Sequence, residues 1–442
     1  MNSHSIARRL RCEYSVPRSA RNAVLPLLLA CVAAGPASAH DSTKYVRTKA
    51  YAVPYETTSE QSGYFSLVEG NDGKIYIGTA KYGSNAYLVA FDPQNESMTV
   101  VVDAQKEIGT TATGFAAQAK IHTRNNVGAS GKIYFGTKQG YPQEGETRDA
   151  YLGGYPMVYD PRTGKTKVYP IPVEHQGIIS VAPDESRGVA YISTCDDNRP
   201  VESTHFLILN LASGEYRDLM DCRHMYAFIV VDSRGRAYHP VLGGKIARYD
   251  PSSDKLVQLT QKIDGKPPAG DSLLVHPQSH PLNWDISPDK KTMYAVPMSG
   301  NDLYAYDLTT DGRELPGRQI GPLLEGDATT DCRAMCVSPN GTVWAGIAAK
   351  TPDRDAGLRI VSFSPKQDKL IDHGRVVITN PDYTTFTGDD GKTLKWHHGV
   401  QRLADGELAP RYVIMAICAA RDGTVYFTTL YPFTLHAWKP AS

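Results

Sequence analysis

Neither sign of charge is in excess, with 47 Lys and Arg against 47 Asp and Glu. That balance argues against a nucleic-acid binder, which carries a clustered basic surface. Tryptophan (four) and phenylalanine (ten) are scarce, and cysteines number seven. No apolar run reaches the roughly 18 residues that a membrane-spanning helix needs. There is no heptad pattern and no Gly-X-Y period, which excludes a coiled coil and collagen. The chain also lacks a G-x-S-x-G elbow, a Walker A loop and an H-E-x-x-H helix. What it does contain is 26 Tyr, 38 Gly, 29 Pro and 41% apolar residues. That is enough for a large core and too much for a disordered chain. Frequent turns and tyrosine-rich segments predict an all-β protein.

The first 39 residues read as an export leader. Arg8, Arg9, Arg11, Arg18 and Arg21 precede the apolar run Ala23 to Ala34, and Ala37-Ser38-Ala39 follows it. A positive segment, a short apolar segment and an A-x-A site describe a signal peptide, with cleavage expected before His40. The chain is therefore expected to be secreted or periplasmic. An alternative is an outer-membrane lipoprotein anchored through Cys31, since Leu28-Leu29-Ala30-Cys31 resembles a lipobox. Removing the leader takes five Arg and one Glu, so residues 40–442 are net −4. An acidic surface does not favour anionic membranes.

A repeat organises the remainder. Strands GKIYIGT (73–79), GKIYFGT (131–137), GVAYIST (188–194), GRAYHPV (235–241), KTMYAVP (291–297), GTVWAGI (341–347) and GTVYFTT (423–429) recur, each after an apolar strand. The first six are followed by a third strand that closes on a turn, such as YLVAFDP or KIARYDP, and then by a fourth. Four strands per unit, at a period of about 50–58 residues, predict a seven-bladed β-propeller. The seventh unit stops at LHAWKP without a fourth strand, while YVRTKAYAV (45–53) is a strand without a unit. The N-terminal strand is therefore expected to complete the last blade, leaving no open edge. Residues 379–411 form an insertion rich in polar and aromatic residues, the kind of long loop that carries binding contacts. Trp396 and His397 in it are candidate substrate contacts.

Inner propeller strands line the central channel, so polar side chains on them need a reason. Gln118, Lys120 and His122 recur at period two in the second unit. His175 opens the third unit, Cys222, His224, Tyr226 and Phe228 the fourth, and Asp331 and Arg333 lie in the sixth. Together these entrances gather His, Tyr, Lys and Arg at one end of the ring. Such a set can remove a proton beside a carboxylate, provided that a cation neutralises the carboxylate. The paired carboxylates of glycoside hydrolysis are less apparent.

QAKIHT, GKIYFGTKQGY, YLGGYPMVYDPRTGK and GIISVAPDESRGVAYIST resemble the seven-bladed propeller polysaccharide lyases, the ulvan lyases most of all and the oligogalacturonate lyases more distantly. The resemblance covers residues 60–260. It implies a secreted lyase that cleaves a uronate-containing anionic polysaccharide or oligosaccharide by β-elimination. His122 carries over as a catalytic histidine, joined by Tyr226 and His175 as acid–base candidates. Lys120, Lys138 and Arg333 are candidates to neutralise the uronate. A second histidine of the family falls at Lys138, a departure that puts the activity in question. The resemblance also implies a structural zinc or other divalent cation, for which Cys195, Cys222 and His224 are candidate ligands. No organic cofactor is expected, and the chain is expected to be a monomer. Cys332 and Cys336 are too far apart on one strand to bridge, whereas Cys336 and Cys418, on neighbouring inner strands, are candidates for a disulfide. Two other classes stay open: a non-catalytic propeller that binds glycan or protein, and a metal-dependent propeller lactonase or hydrolase.

Overall fold

The computed structural model describes residues 44–441 apart from 198–202, 225, 227, 276–279, 327–328, 352–353, 385, 388–392 and 395–397. Trp396, His397, the leader 1–39 and Cys31 lie outside the described residues.

Strands dominate, and they pair in sequence order. Gln61–Glu69, Ile75–Ala80, Tyr87–Asp92 and Ser97–Asp103 form an antiparallel set. In the second set the inner strand is broken into Lys120–Ile121 and Asn126–Val127, ahead of Ile133–Lys138, Pro156–Asp160 and Lys165–Val168. Among the described residues further sets follow, with inner strands Gly177–Asp184, Val230–Val231, Leu282–Ile286, Thr329–Val337 and Ile414–Ala419. Burial falls off outwards. Ile75–Ala80 and Ile133–Lys138 are buried at every position, because both faces of the sheet are covered. The fourth strand Lys165–Val168 is half in solvent.

The recurring aromatics explain how neighbouring sets interlock. Tyr76 meets Tyr159 at 6.1 Å between ring centroids, Tyr191 meets Tyr249 at 6.0 Å and Tyr294 meets Phe363 at 6.2 Å. Trp344 meets Trp438 at 5.9 Å. In each pair the second strand of one set touches the third strand of the next. Tyr426 of the last set then meets Phe91 of the first at 6.2 Å, so the contacts run around a circle. Each such pair contributes about 0.5–1.5 kcal/mol beyond its buried area. Some of the hydroxyls are satisfied locally, Tyr76 donating to Asp72 and Tyr238 to Asp232 in the turn before the strand, whereas Tyr134 donates to Glu185 of the next set.

The ring is also closed by hydrogen bonds. Tyr45–Ala52 runs antiparallel to Thr434–Trp438, pairing Lys49 with Ala437 and Ala52 with Thr434. Its first half runs parallel to Lys369–Ile378, the outer strand of the sixth set. The insertion adds a hairpin, Val400–Arg402 with Leu408–Pro410, to the end of that outer strand. Val400 and Leu408 share a small core with Ala50 and Ile378.

Arg124 bridges the ring from within. Its guanidinium donates to Asn283 Oδ1 at 2.9 Å, to the Met335 carbonyl at 2.6 Å and to the Trp284 carbonyl. It also packs over Phe228 at 4.9 Å and lies 3.8 Å from Asp285. The second set is thereby tied to the fourth, fifth and sixth. A cavity of about 320 Å³ beside this bridge is lined by Glu69, Arg124, Asp285 and Val337.

Candidate functional site

The inner strands begin, and the second strands end, at the same end of the ring, and the polar residues collect there. Tyr64 is presented by an irregularity in the first inner strand between Ser62 and Leu67, with its backbone at φ 68°. Bulges re-aim side chains in this way, and the Tyr64 amide donates to Ser62 Oγ at 2.8 Å to hold the kink. The Tyr64 ring lies edge-on to His122, centroids 4.4 Å apart. Tyr226 approaches His122 from the fourth set at 5.4 Å, and Phe65 lies below at 5.3 Å. The structure thus brings His122 and Tyr226 together across the ring.

His122 is only 1% exposed, and its Nδ1 makes no hydrogen bond among the described residues. Burial, then Lys120 and Lys138, pushes its pKa well below the usual imidazole range, so the ring is neutral. Lys120 pairs across the strand with Lys138. Its ammonium sits 5.5, 5.2 and 4.3 Å from the ring centroids of Tyr64, Tyr82 and Tyr141. Burial and the neighbouring Lys138 charge lower its pKa to about 8, while the three aromatic faces make the charged form tolerable.

Lys138 does not serve as the expected free cation. It is fully buried and in contact with Asp197 in a short ion pair. Burial opposes the charge on Asp197, but Lys138 and Lys120 outweigh it and hold the carboxyl below its usual range. Tyr226 Oη donates to the other oxygen of Asp197 at 3.3 Å. Arg333 is partnered as well, donating to Asp331 at 2.9 and 3.1 Å. It is half exposed; burial opposes its charge, but Asp331, with smaller help from the phenols of Tyr64 and Tyr226, outweighs that and raises its pKa.

Other expectations are not met. His175 is exposed, stands at φ 61° and spends Nδ1 on the Tyr151 carbonyl at 2.6 Å, so it does not join the His122 group. Gln118 holds local structure, donating to the Gly153 carbonyl and accepting from Tyr151 Oη. All five cysteines of the described chain are free thiols, so Cys336 and Cys418 do not form the disulfide considered above. Burial pushes both thiols up. Among the described residues no three His, Cys, Asp or Glu side chains are grouped closely enough to hold a metal ion. Cys195, Cys222 and His224 are not brought together as such a group among the described residues. Cys195 Sγ instead lies 3.8 Å from Asp197 Oδ1, and the His224 carbonyl accepts from Thr204 Oγ1 at 2.6 Å.

Sequence reasoning missed Asp197, Tyr64, Tyr82 and Tyr141. Tyr64, Asp197 and Tyr226 are all non-glycine residues at positive φ, 68°, 58° and 47°. A left-handed backbone at bulky residues is a form of strain that concentrates at functional sites.

The fold and this buried aromatic and ionic centre define a β-propeller with polar chemistry at one mouth of the ring. No family model matches the chain, and no curated protein matches it. Solved structures do. A streptogramin B lyase structure is similar with a TM-score of 0.53 at 13% identity, covering 88% of this chain and 96% of that one. The β-propeller domain of Myceliophteria thermophila Cps50 (Swd1) gives 0.50 at 8% identity over 86% and 97%. A fungal alcohol oxidase in complex with copper gives 0.50 at 11% over 90% and 75%. At these identities the likeness shows the β-propeller fold alone, a fold that enzymes and non-catalytic proteins share. No helix among the described residues is long and apolar enough to cross a membrane.

Proposed function

We propose that this chain is an exported lyase that cleaves a uronate-containing anionic glycan by β-elimination. In that reaction the C5–H bond breaks and its electron pair forms the C4–C5 double bond. The C4–O4 bond then breaks, and a proton passes to the departing oxygen. The observation that carries the reading is a buried imidazole whose Nδ1 has no hydrogen-bond partner among the described residues, in ring contact with two tyrosines at the mouth that also holds Arg333. His122 is assigned as the base, Tyr226 or Tyr64 as the proton donor to O4, and Arg333 as the group that meets the uronate carboxylate. A carboxylate arriving in this buried, cation-rich centre would raise the basicity that burial and the two lysines suppress. Because Tyr64 and Tyr226 cover His122, substrate access requires those two rings to part.

A second reading, a propeller that binds the same glycan without cleaving it, is favoured by the internal pairing of Lys138 with Asp197 and Arg333 with Asp331. Incubation with uronate polysaccharides separates the two, since only elimination leaves an ultraviolet-absorbing conjugated double bond. Under the lyase reading, His122→Gln and Tyr226→Phe lower the rate of its appearance by about 10² to 10⁴. Binding without any such absorbance would leave the second reading standing. Full activity in His122→Gln would remove His122 from the mechanism.

A further inference from the structure

At the same mouth of the ring, a second cavity of about 430 Å³ opens between the sixth set and the insertion. That volume falls in the range of small-ligand sites. Its walls include Thr330, Asp331, Lys350, Gln401, Arg411 and Tyr412. The fold brings the two cations from different places: Lys350 stands near the end of strand Val343–Thr351, and Arg411 follows the insertion strand Leu408–Pro410. Both are exposed, and neither has a carboxylate partner among the described residues. The one carboxylate named in the wall, Asp331, is already taken by Arg333 through both of its oxygens. The lining therefore presents two cations, Lys350 with Asp355 opposite it in the strand register and Arg411 from the insertion, beside the neutral hydrogen-bonding groups of Thr330 and Gln401.

Aromatic rings connect this cavity to the His122 centre. Tyr412 is 49% exposed and stands at φ 69°, a costly backbone for a bulky residue. It lies edge-on to Tyr431 at 5.6 Å, and His398 stacks on Tyr431 at 4.6 Å. Tyr431 is joined to the first set by its amide, which donates to the Glu60 carbonyl at 3.2 Å. Tyr431 and Tyr64 also pack against the same core, which includes Leu430 and Phe433. On the far side Tyr64 Oη meets Tyr141 Oη at 3.3 Å, and Tyr141 is 50% exposed. Tyrosines thus line a path from Tyr141 past His122 to Tyr412. A sugar ring has one apolar face and a polar rim, which suits an exposed tyrosine flanked by charged donors.

We propose that the Lys350–Arg411 cavity is a second anion-binding subsite, which holds a carboxylated or sulfated sugar of the same glycan several residues from the one at His122. Lys350 and Arg411 take the anionic substituent and Tyr412 supports the sugar ring. This rests on the glycan reading above but not on cleavage.

The test is titration calorimetry with uronate oligosaccharides, a disaccharide and a hexasaccharide, on the wild type, Lys350→Ala/Arg411→Ala and Tyr412→Ala. A neutral hexasaccharide is the control. All three altered side chains are exposed, so the variants should keep the fold. The double variant should bind the uronate hexasaccharide about 10- to 100-fold more weakly at low salt, as loss of one or two charged hydrogen bonds implies. Its affinity for the disaccharide should not change, and added salt should shrink the difference. Tyr412→Ala should weaken both hexasaccharides. Equal hexasaccharide affinity in wild type and double variant overturns the subsite, as does a wild type that binds neutral and uronate hexasaccharides alike or binds neither. Loss of binding in the double variant, with no elimination by the wild type, upholds the subsite and rejects the lyase.

Discussion

The seam of the ring contains a buried titratable group, and its effect on stability can be worked out. His436 lies on the last strand and is fully buried, stacked on Phe427 at 4.9 Å with the planes 6° apart. Its Nδ1 meets Thr48 Oγ1 at 3.0 Å and its Nε2 meets Thr429 Oγ1 at 2.9 Å. Thr48 gives its hydroxyl proton to the Val377 carbonyl, so it accepts from Nδ1–H, which leaves Nε2 to accept from Thr429. A neutral imidazole fits this chain of bonds, and burial pushes its pKa down to about 3. The folded value lies below the unfolded one of about 6.5, so the unfolded chain binds the extra proton. Stability is complete above the unfolded pKa and is lost as pH falls from there towards the folded value. Between about pH 7.5 and 4.5 His436 alone should remove about 2.5 kcal/mol. Urea denaturation of wild type and His436→Gln at both pH values measures this. The variant should be less stable near neutrality, and its deficit should shrink by about 2.5 kcal/mol at the lower pH. The buried His239 and the half-buried His373, with pKa values also lowered to about 4, are common to both proteins and cancel. A deficit that does not change with pH would refute the assignment of His436 as a neutral seam residue.

Two further outcomes are expected. Arg124→Met leaves the Trp284 and Met335 carbonyls and the Asn283 amide oxygen without their donor, and should cost about 3–5 kcal/mol in urea denaturation; a loss below about 1 kcal/mol would mean the bridge is not holding the sets together. Lys120, with a folded pKa of about 8 below its unfolded value, should let stability rise as pH climbs from there towards about 10.4, by up to about 3 kcal/mol. Lys120→Met should flatten that rise, and an unchanged slope would show that the lysine does not titrate in this window.

The blades were legible because their signal is local and repeated. GKIYFGT-type strands advertise a pleated, doubly covered strand, and the third-strand aromatics Phe91, Tyr159, Tyr249, Phe363 and Trp438 turn out to be ring partners of the preceding set's Tyr426, Tyr76, Tyr191, Tyr294 and Trp344. The seam was legible from a missing strand at one end and a surplus one at the other. His122 and Tyr226 could be placed together because inner strands converge on one axis whatever their separation along the chain. Pairing was not legible. Lys138 looked like a free cation, but Asp197 reaches it from an ordinary-looking Cys-Asp-Asp turn 59 positions later. Arg124 gave no local sign of its partners, which are 159 to 211 positions away. His175 shares the residue type and the order of the true neighbours of His122, but its backbone turns left-handed and its ring is bound elsewhere. Side-chain partners across a channel depend on the radius and stagger of the ring, which no single strand encodes.

The join between first and last strands also sets a schedule for biogenesis. Thr48 and His436 are separated by 388 positions. At translation rates of about 5–20 residues per second, the N-terminal strand waits about 20 to 80 seconds for its antiparallel partner to be synthesised. Until Lys369–Ile378 emerges to take its first half, Tyr45–Ala52 is an unpaired strand edge, and its second half stays unpaired until Thr434–Trp438 follows. A chaperone or a membrane channel that keeps this segment extended would therefore guard the step on which completion of the ring depends.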